Sequence, residues 1–159
     1  MSVARVVVAA ALTLALLPCR RAQAEALDVP SVAILETRGG GVPGAAIDAV
    51  TRQLYATVGR LGYRTIPDAV TGALSARLAP GFATPGELLD VAIGARATHA
   101  LGASLGAEQG HYLVLVTLAN ADRSGPFLAR GSADAATLEA VADRLARSLL
   151  PAVPPAVPL

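Results

Sequence analysis

The chain of 159 residues has no lysine and no tryptophan, two phenylalanines, three tyrosines, two histidines and one cysteine. Each shortage removes a class of function. So few aromatic rings leave no broad stacking platform for bases or sugars, and the core has to be aliphatic. One cysteine cannot form an internal disulfide, and with two histidines it falls short of a zinc-type ligand set. All thirteen positive side chains are arginine, against twelve acids, for a formal charge of +1. That balance supplies no basic field for nucleic acid.

Long apolar runs are also scarce. The only one lies at the start, where Arg5 precedes Val6–Leu17 and Ala22-Gln23-Ala24 follows. This is the layout of a secretory signal, with cleavage between Ala24 and Glu25. The run is shorter than the roughly 20 residues that a membrane-spanning helix needs. Cys19 in "LLPC" invites a lipoprotein reading, but Pro18 stands where a lipobox takes a small flexible residue. Peripheral attachment to a membrane would follow only from lipidation of Cys19. Loss of residues 1–24 also removes Arg5, Arg20 and Arg21, leaving ten arginines against twelve acids. Residues 25–30 then form a linker, residues 31–150 a single domain, and the proline-rich residues 151–159 a frayed, disordered tail.

Within the domain the apolar spacing changes period. Ser31–Leu35 is a short apolar run ahead of glycines and predicts a buried strand. Ile47, Val50, Leu54, Val58 and Leu61 recur at three and four, predicting a helix over 45–61 with Gly62 at its stop. "YRTIP" (63–67) predicts a second strand. Asp68 stands as an N-cap before a weaker helical pattern at Val70, Leu74 and Leu78. Thr84-Pro85-Gly86-Glu87 is a capping box opening another helix. Residues 99–107, 112–121 and 127–132 predict three strands joined as antiparallel hairpins, with "YLVLVTLA" central because it is apolar on both faces. Asp134 is a further cap candidate before a closing helix with stripe Leu138, Val141, Leu145 and Leu149, where Asp143 and Arg147 pair at i,i+4. The expected fold is α/β (α+β), one mixed-sheet domain in the order β-α-β-α-α-β-β-β-α, its first crossover parallel.

Two literal motifs suggest enzymes. "ETRGGGVPGAA" contains Gly39-x-Gly41-x-x-Gly44 after a strand and before a helix, as dinucleotide-binding loops do. Gly102-Ala-Ser104-Leu-Gly106 imitates a serine hydrolase elbow. The first lacks the further parallel units of a dinucleotide fold, and the second leads into another strand where an elbow needs a helix. Asp68 has a local role as a cap, and His111 follows Ser104 too closely for the order Ser, acid, His. Glycine turns and close-packed strands explain both motifs. An unspecific anion at the loop, held by Arg38, Gly39, Gly40, Gly41 and Gly44, is the one binding role they leave. His99 and His111 could titrate together if a hairpin paired them. Glu87 and Asp90 resemble an acid/base pair, although capping accounts for them. No catalytic residue, metal site or cofactor is expected.

The run from "VAIL" through "LGYRTIP" to "GARATHALGASL", "YLVLVTLANADRSG" and "LEAVADRLARSLL", nearly all of residues 31–150, resembles the TolB amino-terminal-like domain of bacterial envelope proteins. Similar domains occur in curli-secretion lipoproteins of the CsgG type and in outer-membrane activators of penicillin-binding proteins. The resemblance implies a non-catalytic, exported domain, periplasmic or secreted, that contacts other cell-envelope proteins through a sheet edge or the second helix. The competing location is an outer-membrane lipoprotein. The competing function is a small secreted hydrolase, or an anion- or nucleotide-binding domain, using Ser104 or the Gly39–Gly44 loop.

Overall fold

The computed structural model describes residues 29–78 and 83–154. The Ala24–Glu25 cleavage site, Cys19 and residues 155–159 lie outside them. The elements are β1 (Ser31–Ile34), β2 (Arg38–Gly40), α1 (Gly44–Arg60), β3 (Arg64–Thr65), α2 (Asp68–Ser75), α3 (Pro85–Gly94), β4 (His99–Glu108), β5 (His111–Asn120), β6 (Phe127–Ala133) and α4 (Leu138–Leu149).

One mixed six-stranded sheet carries the fold, in the order β3-β1-β4-β5-β6 with β2 also paired to β4. β1 is parallel to both β3 and β4, and the β4-β5-β6 run is antiparallel. The expected order is corrected at one point: a strand, β2, stands inside the glycine segment expected to be a plain turn. Its three residues give no apolar signal, and what makes them a strand is parallel pairing with Ser104–Gly106 of β4. The centre of the sheet is β4, which accepts partners on both sides, and β5 is its inner neighbour.

Helices cover both faces. On one, Val50, Leu54 and Val58 of α1 and Leu138, Val141, Ala142 and Leu145 of α4 join Val32, Ile34, Leu101, Leu105, Val114 and Val116 in the larger core. Their spacing of three and four is the local cause, since one stripe of each helix meets the sheet. On the other face Leu88, Val91 and Ala92 of α3 and Ile66 pack on Ala33, Leu35, Ala100 and Ala119, with Leu74 of α2 at the margin. Gly102 admits this contact, because a Cβ there would lie 3.1 Å from Leu88 Cδ2.

The helix ends follow local chemistry with two exceptions. Thr84 and Glu87 form the full capping box, and Gly62 stops α1 at φ +87°. Asp68, however, does not cap α2; Pro67 precedes the helix and Asp68 is its first residue, with its carboxylate drawn to Tyr55 of α1. Asp134 likewise caps a turn before α4, accepting from Thr137 N at 2.8 Å. At the far end, Tyr63 Oη donates to Pro151 O at 2.9 Å and Val153 N to Leu61 O at 2.8 Å, so residues 151–153 lie against the end of α1.

Candidate functional site

The two enzyme-like motifs come together as one piece of backbone. Arg38, Gly39 and Gly40 pair with Ser104, Leu105 and Gly106, respectively. A Cβ on Gly39 would lie 2.9 Å from Leu105 O, closer than real side chains come, so the glycine is what lets the strands meet. Gly40 has open space around it, and Gly41 turns the chain at φ +69°. Gly44 opens α1 behind Pro43, with no side-chain cap. Among the described residues nothing hydrogen-bonds to Ser104 Oγ, whose neighbours in the sheet are Arg38 and Leu115.

The remaining titratable candidates are dispersed. His99 faces Asn120 across β4 and β5, with Nδ1 2.7 Å from Asn120 Oδ1, whereas His111 faces Glu108 at the opposite end of the same ladder. The hairpin therefore separates the histidines. Glu87 accepts from Thr84 N at 2.6 Å. Among the described residues no cluster of three metal-ligating side chains forms, and no helix is long and apolar enough to cross a membrane.

A hollow of about 810 Å³ lies between α1 and α2 at the carboxyl end of β1. Its wall on α1 carries Asp48, Arg52 and Tyr55, at helical spacing beside the buried stripe of Val50, Leu54 and Val58. Asp68 faces them from α2, and Ile34 and Glu36 end β1 below. Tyr55 Oη donates to the Asp68 carboxylate and is 3.3 Å from Ile34 O. Burial, with that hydrogen bond and the Asp68 charge, pushes the phenol up to about 12, so it stays a donor at neutral pH. Thr51 Oγ1 donates to Thr37 Oγ1 at 2.8 Å and fixes the segment after β1 against α1. Both ion pairs among the described residues lie elsewhere, on Asp143, with Arg60 and Arg147 each at 2.8 Å. Glu36, Asp48 and Arg52 are exposed and take part in none.

A second exposed feature lies across the sheet. Among the described residues β6 pairs only with β5, and its outer edge is open there. Beside it the face bearing α3 is bare: Leu113, opposite Ser132, is 49% exposed and Leu128, opposite Thr117, is 55% exposed, with the Leu115–Arg130 pair between them. α3 covers only the Ala119 end of this face. Sequence reasoning read β5 as central and apolar on both faces, did not see that one of them is bare, and missed the crevice altogether. The signal for the crevice was a polar stripe, Asp48-Arg52-Tyr55, running beside the apolar one.

The sequence matches no family model and no curated protein. Among solved structures the fold is similar to lipoprotein GNA1162 from Neisseria meningitidis, at 11% identity over 76% of this chain and 99% of that one, TM-score 0.51. It is also similar to the LpoB C-terminal domain from Salmonella enterica, at 12% identity over 66% of this chain and 82% of that one, TM-score 0.50. The likeness is one of fold, a mixed-sheet α/β domain.

Proposed function

We propose that this chain is an exported, non-catalytic binding domain of the TolB amino-terminal-like kind. It contacts other proteins of the bacterial cell envelope, in the periplasm or outside the cell, and carries no cofactor. The observation that carries this reading is the open β6 edge next to Leu113 and Leu128. An unpaired strand edge offers backbone donors and acceptors to an incoming extended segment, and adjacent apolar side chains receive its alternate residues. Arg130, in the middle of β6, guards against indiscriminate pairing by keeping a charge on the strand. The fold shared with lipoprotein GNA1162 from Neisseria meningitidis supports the setting.

Site-specific photocrosslinking tests it in native envelopes. A crosslinker at Leu128 should capture one discrete envelope protein, while one at the exposed Ala56 on α1, away from β6, should not. Leu113→Asp should abolish the capture and leave the fold intact, since that side chain is already half exposed. Equal capture from both positions, or capture that survives Leu113→Asp, would refute the proposal.

A further inference from the structure

The hollow between α1 and α2 sits where the chain changes sides of the sheet. β1 leads through the short β2 into α1, which packs on one face with Val32 and Ile34, while the adjacent parallel strand β3 leads into α2 on the other. Adjacent parallel strands whose connections depart to opposite faces leave a crevice beyond their carboxyl ends, and open α/β sheets bind ligands there. The volume of about 810 Å³ is in the range of such sites, roughly 300–1,000 Å³.

Its charge is lopsided. The carboxylates of Glu36, Asp48 and Asp68 stand around the crevice against one arginine, Arg52, and only Asp68 has a partner, the Tyr55 hydroxyl. Asp143, by contrast, draws in two arginines and the Thr57 hydroxyl. What distinguishes Glu36, Asp48 and Asp68 from other surface acids without an ion pair among the described residues, such as Asp90, Glu108 and Glu139, is that they converge on one hollow. Gly72, Ser75 and Ala76 supply an uncharged rim.

We propose that this crevice receives an arginine or lysine side chain from an extended segment of a partner protein. The cationic head sits among Glu36, Asp48 and Asp68, and the aliphatic stem runs past Gly72 and Ala76. A peptide is the occupant because the hollow is larger than a guanidinium group and opens along two helices, leaving room for chain on either side of the basic residue. The site is separate from β6, which lies on the far side of β4 and β5. It goes beyond the proposed edge contact and can fail or hold independently of it.

The test is titration of the ¹⁵N-labelled protein with capped alanine pentapeptides whose central residue is Arg, Lys, Gln or Glu. The Arg and Lys peptides should shift amides at Glu36, Asp48–Tyr55 and Asp68–Ala76, with binding at least about tenfold tighter than for Gln, the worth of one weak charge-assisted contact. Added salt should weaken it, as for any solvent-facing charge pair. Asp48→Asn with Glu36→Gln removes two exposed, unpaired charges without touching the core and should reduce binding by about tenfold. Tyr55→Phe frees the Asp68 carboxylate and should tighten binding, an outcome that a purely structural role for Tyr55 does not produce. Leu113→Asp should change nothing. Equal binding of the Gln peptide, preference for the Glu peptide, or no amide shift with any peptide overturns the proposal. Agmatine binding as tightly as the Arg peptide would overturn the choice of a peptide as occupant.

Discussion

Three consecutive glycines in one loop should respond differently to the same added methyl group. At Gly39 the new Cβ would stand 2.9 Å from Leu105 O and 3.3 Å from both Leu105 Cβ and Val42 Cβ. Leu105 is fully buried, and β4 is held by β1 and β5, so it cannot retreat. The yielding partner is β2, three residues long and paired only with β4. Overpacking of this kind costs about 1–3 kcal/mol, and the upper end corresponds to losing the β2 ladder, at ~1 kcal/mol per hydrogen bond. At Gly40 a Cβ meets nothing within 4 Å. Gly40→Ala should therefore be neutral or stabilise by about 0.4–1 kcal/mol through a less flexible unfolded chain. Gly41 also has open space but sits at φ +69°, so Gly41→Ala should cost about 1–2 kcal/mol by conformation alone. Urea unfolding followed by far-UV circular dichroism measures all three, and the midpoints should move while the slope stays constant. If Gly39→Ala and Gly40→Ala unfold at the same midpoint, close strand approach is not what places glycine at 39.

Asp143 and the amino terminus give two further expected outcomes. Partial burial opposes ionisation of Asp143, but hydrogen bonds from Thr57 and Arg147 and the charges of Arg147 and Arg60 outweigh it and hold its pKa below the ordinary carboxylate value. A depressed folded pKa adds stability above the unfolded value, about 3.9, which is lost as pH falls through the folded one. Asp143→Asn should thus lose about 1–2 kcal/mol at neutral pH, and the gap from the parent should close below about pH 4 in acid unfolding curves; a gap that persists there contradicts the assignment. Intact-mass measurement of the protein from native envelopes should give a chain starting at a free Glu25, and a diacylated Cys19 would move it to the outer membrane as a lipoprotein.

What could be read from the sequence was what repeats locally. The stripes of α1 and α4 were legible because each turn of a helix returns a residue to the same core, and the Thr84–Glu87 box because both partners lie within one turn. β2 was not legible: Arg-Gly-Gly has no apolar alternation, and only the register with Ser104–Gly106 makes it a strand. The Tyr55–Asp68 contact was hidden for a similar reason, since it depends on how α1 and α2 sit across the sheet. Asp143 shows the boundary within one residue. Its i,i+4 bond to Arg147 was visible in the helix, while the Thr57 and Arg60 partners come from α1 and were not. The bare half of β5 escaped because "YLVLVTLA" is apolar on both faces, and nothing local tells that α3 stops at the Ala119 end.

The glycine motifs and the crevice show why a spacing pattern and a charge pattern carry different weight. Glycine at fixed intervals need not have one cause: at Gly39 β4 comes close to the backbone through Leu105, at Gly41 the chain turns at φ +69°, and at Gly44 a Cβ would meet nothing within 4 Å. A close approach and a turn inside the chain account for the first two, so the spacing by itself does not call for a phosphate. The charge pattern carries weight by convergence: Glu36 and Asp48 lack an ion pair among the described residues, as do most acids of this fold, but with Asp68 they stand around one hollow, and Arg52 lies one helical turn from Asp48 on the same wall. Water satisfies them as they stand, at no great penalty for exposed groups. Once a partner segment covers the crevice and excludes that water, an unpaired carboxylate becomes costly, so an occupant bearing a basic residue is selected over one without it.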